Sequence, residues 1–117
     1  QSVIEEAMSR FGLEEERWES MVLFSSDGLP MASCGESPAC NREELLEFSF
    51  SLMETVDLLK RDKGLEEIVI RSRNKRLLVF RYFQAWDDTL ILAAVLPGKK
   101  AYRRAVSRVI KKIRSLA

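Results

Sequence analysis

Along the stretch Asn41 to Lys63 the apolar positions fall into two rows. Wound at helical pitch, Leu45, Phe48, Leu52, Val56 and Leu59 form one stripe at offsets of 3, 4, 4 and 3. Leu46, Phe50 and Met53 form a second row beside it. Together they span about 200°, where a surface helix needs about 100°. The stripe alone would dock the helix on a sheet. The second row packs either on another helix of the same chain or on another polypeptide, and a large exposed apolar patch favours the latter.

The remaining pattern predicts the other elements. Ser2 to Phe11 reads as a helix with Ser2 at the N-cap, Glu5 at capping-box spacing and Gly12 ending it. Leu13 to Arg17 connects it to a strand, Glu19 to Ser26. Asp27-Gly28 reverses the chain into a second strand, Leu29 to Cys34, and Pro30 removes an amide donor and assigns that strand to a sheet edge. After the loop Gly35 to Cys40, Asn41 caps the long helix, with Glu43 and Glu44 complementing its dipole. Gly64 breaks that helix.

Glu66 to Ser72 then reads as a strand with Ile68 and Ile70 on one face. The turn Arg73-Asn74-Lys75 leads into Arg76 to Phe83, and the turn Gln84 to Asp88 into Thr89 to Leu96. This last strand is apolar on both faces, so it belongs at the sheet centre with helices on both sides. Pro97-Gly98 ends it. The closing helix, Lys99 to Leu116, has one narrow stripe: Tyr102, Val106, Val109, Ile113 and Leu116. The order α-β-β-α-β-β-β-α predicts a three-layer α/β/α sandwich around a five-stranded, mainly antiparallel sheet, with residues 1–117 as a single domain.

Charge adds an asymmetry that the net value of +1 conceals. Residues 1–20 carry six Glu against Arg10 and Arg17, while residues 97–117 carry eight Lys or Arg and no acid. A basic tail helix suits nucleic acid or anionic lipid, but no aromatic residues are interleaved for base stacking. An acidic N-terminal helix lying alongside would neutralise part of it, so no nucleic-acid partner is expected. The apolar runs are too short to span a bilayer, and Ser2 to Arg10 is amphipathic and acidic rather than a signal peptide, which points to the cytoplasm.

Candidate chemistry is sparse. There is no His, no GxGxxG and no GxxxxGK[ST] in the sequence. The carboxylate pairs Glu5/Glu6, Glu43/Glu44, Glu66/Glu67 and Asp87/Asp88 are adjacent in sequence and diverge on a helix or strand. Cys34 and Cys40 fit no standard zinc spacing, and a disulfide between them would be unusual in the cytosol. A non-enzyme without cofactor or metal is the expectation. Trp86, at a hairpin tip among polar residues, either folds back over a strand or anchors a partner.

The order of elements, the segment VLFSSDGLPMAS (Val22 to Ser33) and the closing LILAAVLPGKKAYRRAVSRVI (Leu90 to Ile110) resemble the roadblock/dynein light chain superfamily, and within it the short bacterial MglB-like members. The sharpest motif is the hairpin Asp27, Gly28, Leu29, Pro30 and Ala32. The long helix departs from the pattern, carrying Leu, Phe and Met where members are often Ala-rich. The resemblance implies a homodimer that pairs the first strand after the long helix with its two-fold mate and packs the long helices antiparallel. In this chain that interface would hold Leu46, Phe50, Met53, Asp57, Glu67, Val69 and Arg71. It also implies a platform or regulator for a Ras-like small GTPase, at most stimulating GTP hydrolysis in the partner's own active site. The competing expectations are a scaffold subunit indifferent to nucleotide, and an anion binder using Lys99, Lys100, Arg103, Arg104, Arg108, Lys111, Lys112 and Arg114.

Overall fold

A computed structural model describes residues 2–25, 27–38, 40–59, 67–72, 75–98 and 101–116, with the side chains of residues 2, 50 and 53–59 outside the description. Five strands form one antiparallel sheet in the order β2-β1-β5-β4-β3: β1 Ser20–Ser25, β2 Pro30–Gly35, β3 Glu67–Arg71, β4 Arg76–Ala85 and β5 Asp88–Pro97. β5 is central, as its two apolar faces require. Leu90, Leu92, Ala94 and Leu96 face one core, and Ile91, Ala93 and Val95 face the other. The first core is closed by α1 (Ser2–Met8) and α3 (Arg103–Arg114), the second by α2 (Arg42–Leu59). The result is the α/β/α sandwich that the element order predicts.

The hairpin and the cap form as their residue types dictate. Gly28 takes φ 81°, and Ser25 and Leu29 close the turn through a 2.9 Å backbone hydrogen bond. Asn41 Oδ1 accepts the Glu44 amide at 2.9 Å while Glu44 Oε1 accepts the Asn41 amide at 3.1 Å, a reciprocal capping box. Pro30 lies on the edge strand β2.

Several expectations need correction. Gly12 does not end the first helix: the chain continues through a π turn, Ser9–Glu14, and Trp18 N donates to Gly12 O. Gly12 is buried, and a Cβ there would collide with Sδ of Met21 and lie 3.0 Å from Trp18 Cε3. The glycine serves close approach, not termination. The Glu5 carboxylate reaches off its helix and accepts the Ser33 amide of β2. The second hairpin turn is two residues, Trp86 and Asp87, between the paired Ala85 and Asp88. Leu116 lies beyond α3 and is exposed, whereas Ala105 and Ile110, on either side of the Val106–Val109–Ile113 stripe, join the buried face. Phe48 is 43 % exposed, so it does not belong to the sheet-facing stripe. Ser49 occupies that face instead, buried with its hydroxyl donating to Leu45 O at 2.8 Å. The expected break at Gly64 and the turn residues Arg73 and Asn74 lie outside the described residues.

Candidate interaction surface

The two edges of the sheet differ. On β2, Pro30 has no amide proton to offer, the Ser33 amide is taken by Glu5 Oε2 at 3.0 Å, and the Gly35 carbonyl accepts Nε of Arg42 at 3.0 Å. A register shift between Leu23 and Phe24 further disturbs this edge. Such devices discourage strand addition. β3, at the other end, pairs only with β4 among the described residues. Its Ile68 and Ile70 pack into the α2-side core, while Val69 on the other face is 39 % exposed.

The seven candidate interface residues divide accordingly. Val69 and Arg71 are exposed on β3. Glu67 is engaged within the chain: its Oε1 accepts Nη2 and Nε of Arg81 at 2.7 and 3.0 Å, and its Oε2 accepts the Tyr102 hydroxyl at 3.3 Å. Leu46 is half-buried and packs against the α2-side core of its own sheet. Phe50, Met53 and Asp57 sit on α2 with side chains outside the described residues. The exposed flank of α2 carries a residue that the sequence pattern misplaced, Phe48, bordering with Glu44, Glu47 and Ser51 a depression of about 300 Å³. Helical spacing assigned Phe48 to the sheet. Its i−1 and i−4 neighbours, Glu47 and Glu44, were the signal that it faces outward.

Trp86 is 39 % exposed, with φ 50° beside Asp87 at φ 57°. Two left-handed residues in succession make the type I′ geometry that Asn-Gly normally supplies, so this turn is built from unfavourable residues. Cys34 packs with the α1/α3-side core and Cys40 with the α2-side core, and both are free thiols. Burial pushes Cys34 up to about 11, Arg42 opposing and Glu5 adding to the shift. Such thiols are poor nucleophiles. Among the described residues no cluster of three His, Cys, Asp or Glu could hold a metal, and no helix is long and apolar enough to cross a membrane.

The cations of α3 also divide into two flanks. On the α1 side Arg108 pairs with Glu16 at 2.9 Å, and Lys112 Nζ sits 4.9 Å from the centre of the Phe11 ring. The N-terminal segment thus gives one flank a carboxylate for Arg108 and an aromatic face for Lys112. The other flank faces β4. Lys99 and Lys100 lie outside the described residues.

No protein-family model and no curated protein matches the sequence. Solved structures do match. The chain is similar to Myxococcus xanthus MglB over 98 % of its length and 87 % of that chain, with TM-score 0.77 and 11 % identity. The gliding protein MglB of Thermus thermophilus aligns over 99 % of this chain and 91 % of its own, with TM-score 0.73 and 13 % identity. A roadblock/LC7 domain from Streptomyces avermitilis aligns over 96 % and 92 %, with TM-score 0.65 and 18 % identity. The chain therefore has the fold of these MglB and roadblock/LC7 structures.

Proposed function

We propose that this chain is a non-enzymatic, cytoplasmic regulator or platform for a Ras-like small GTPase, acting as a homodimer built across the β3 edge. The observation that carries the reading is the asymmetry of the sheet edges. β2 has Pro30, the Glu5–Ser33 bond and the Arg42–Gly35 bond set against strand addition, while β3 presents Val69 and Arg71 with no strand beyond them among the described residues. Two copies meeting at β3 would join their sheets about a two-fold axis, and a self-complementary contact is what such symmetry requires. The same operation would bring the two α2 helices together and pool their exposed flanks, Phe48 among them, into one surface. The MglB-like fold and the resemblance of the Val22–Ser33 and Leu90–Ile110 segments support a GTPase as the partner of that surface.

The test is GTP hydrolysis by the Ras-like GTPase encoded nearest to this chain, measured with and without it, alongside binding to the GDP and GTP forms. A changed rate, or binding that prefers one nucleotide state, supports regulation. Binding that ignores the nucleotide replaces it with a tethering role, and no binding removes the reading.

A further inference from the structure

On the face of the sheet opposite α2, an open groove of about 790 Å³ runs between β4 and α3. Phe83 and Ile110, both buried, contribute its floor. Its rim holds four cations, Arg81, Arg103, Lys111 and Arg114, against one carboxylate, Glu67. That carboxylate is already spent on Arg81 and Tyr102. Arg81 is further tied to Ser107 Oγ at 2.7 Å, and Arg114 donates Nε to Gln84 O while lying 5.7 Å from the Phe83 ring centre. Arg81 and Arg114 are thus held in place by hydrogen bonds, and with Glu67 paired to Arg81 the rim keeps the charges of Arg103, Lys111 and Arg114. On the opposite flank of α3, Arg108 is paired with Glu16 and Lys112 lies over the Phe11 ring.

We infer that this groove is a docking site for an extended acidic peptide segment of a partner protein, one carrying an apolar side chain among its carboxylates. Arg103 and Arg114 stand about 16 Å apart along the helix axis at 1.5 Å per residue, the reach of about five extended residues and too long for one small anion. Charge complementarity sets the sign of the occupant, and the buried floor selects an apolar anchor. Nucleic acid is disfavoured because the one aromatic ring of the floor is buried beneath Arg114 rather than offered for stacking. A bilayer surface is disfavoured because the cations line a concavity. The site lies apart from α2, so a peptide here and a partner on α2 can be held together.

The experiment uses the full chain and a fluorescein-labelled peptide of alternating acidic residues interrupted by Leu and Phe, read by anisotropy. Arg103→Glu with Lys111→Glu alters the groove. Arg108→Glu with Lys112→Glu makes the same charge change on the other flank. All four positions are exposed, and circular dichroism confirms that each variant folds. The groove pair should weaken binding about tenfold or more and the flank pair by less than about twofold, with the GTPase response unchanged in both. Equal loss in the two variants, equal binding of a polyglutamate lacking the apolar residues, tighter binding of phosphatidylserine vesicles or duplex DNA, or no peptide binding would each overturn the inference.

Discussion

The carboxylate of Glu5, on the first helix, accepts the backbone amide of Ser33 on the edge strand β2 at 3.0 Å. A helix side chain thereby fills a ladder position that another strand would otherwise take, and helix α1 is fastened to the sheet by the same bond. Glu5→Ala should cost about 1–2 kcal/mol in urea unfolding, the range for losing a charge-assisted bond to a partly buried amide. It should leave the proposed dimer intact, since that dimer is built across the other edge. Urea unfolding checks the first point and sedimentation at matched concentration the second.

Arg81 and Glu67 tie β3 to β4 with side chains only 15 % and 17 % exposed, and Ser107 and Tyr102 join them to the α3 layer. Removing one charge strands the other. Arg81→Ala should lower stability by about 2–3 kcal/mol, somewhat less than for a fully dry pair because some water reaches both groups. Glu67→Gln, which keeps the shape and one acceptor, should cost less. Chemical denaturation of the two variants orders them.

At the β4–β5 turn, Trp86 and Asp87 both hold positive φ without a glycine. Asp87→Gly should raise stability by about 1 kcal/mol by relieving the left-handed strain. Trp86→Asn should act in the same direction unless the ring packs on its own strand, and its loss of ring contact separates the two roles of Trp86. A stability gain with weakened GTPase binding marks an anchor, and a stability loss with binding unchanged marks a folded-back ring.

Burial raises Cys34 to about 11 and Tyr82 to about 12, and Tyr82 Oη has no hydrogen-bond partner among the described residues. Both groups are anionic when deprotonated, so the fold holds their protons more tightly than the unfolded chain does. Between their ordinary values of 9.0 and 10.0 and these raised ones, the unfolded state binds fewer protons, and stability therefore falls as pH rises. Unfolding free energy should be flat from neutral pH to about pH 8.5 and decline above about pH 9. Native Cys34 should alkylate slowly at pH 8 and rapidly once denaturant is added.

The central strand and one edge were readable from the residues: Thr89 to Leu96, apolar on both faces, belonged at the centre, and Pro30 assigned its strand to an edge. α2 resisted the same treatment. With apolar residues over so wide an arc, periodicity cannot say which flank meets the sheet, and a serine in the core, Ser49, is invisible to a pattern that counts it as polar. Its hydroxyl is satisfied by the helix's own Leu45 carbonyl, which the pattern cannot show. Gly12 looked like a stop because glycine commonly ends helices, whereas its cause is the distant Met21. The groove needed tertiary structure, since Arg81 and α3 meet only after folding. One hint was present: Arg81 is a lone charge inside an apolar strand, and such a residue requires a partner.

In the proposed dimer β3 is the edge that receives a second copy. Its most direct test is sedimentation equilibrium of the wild-type chain beside Val69→Glu, a substitution at a 39 % exposed position that the monomer fold should accept. A wild-type dimer and a folded Val69→Glu monomer are the expected pair of results. A wild-type monomer at micromolar concentration, or a Val69→Glu variant that remains dimeric, would contradict it.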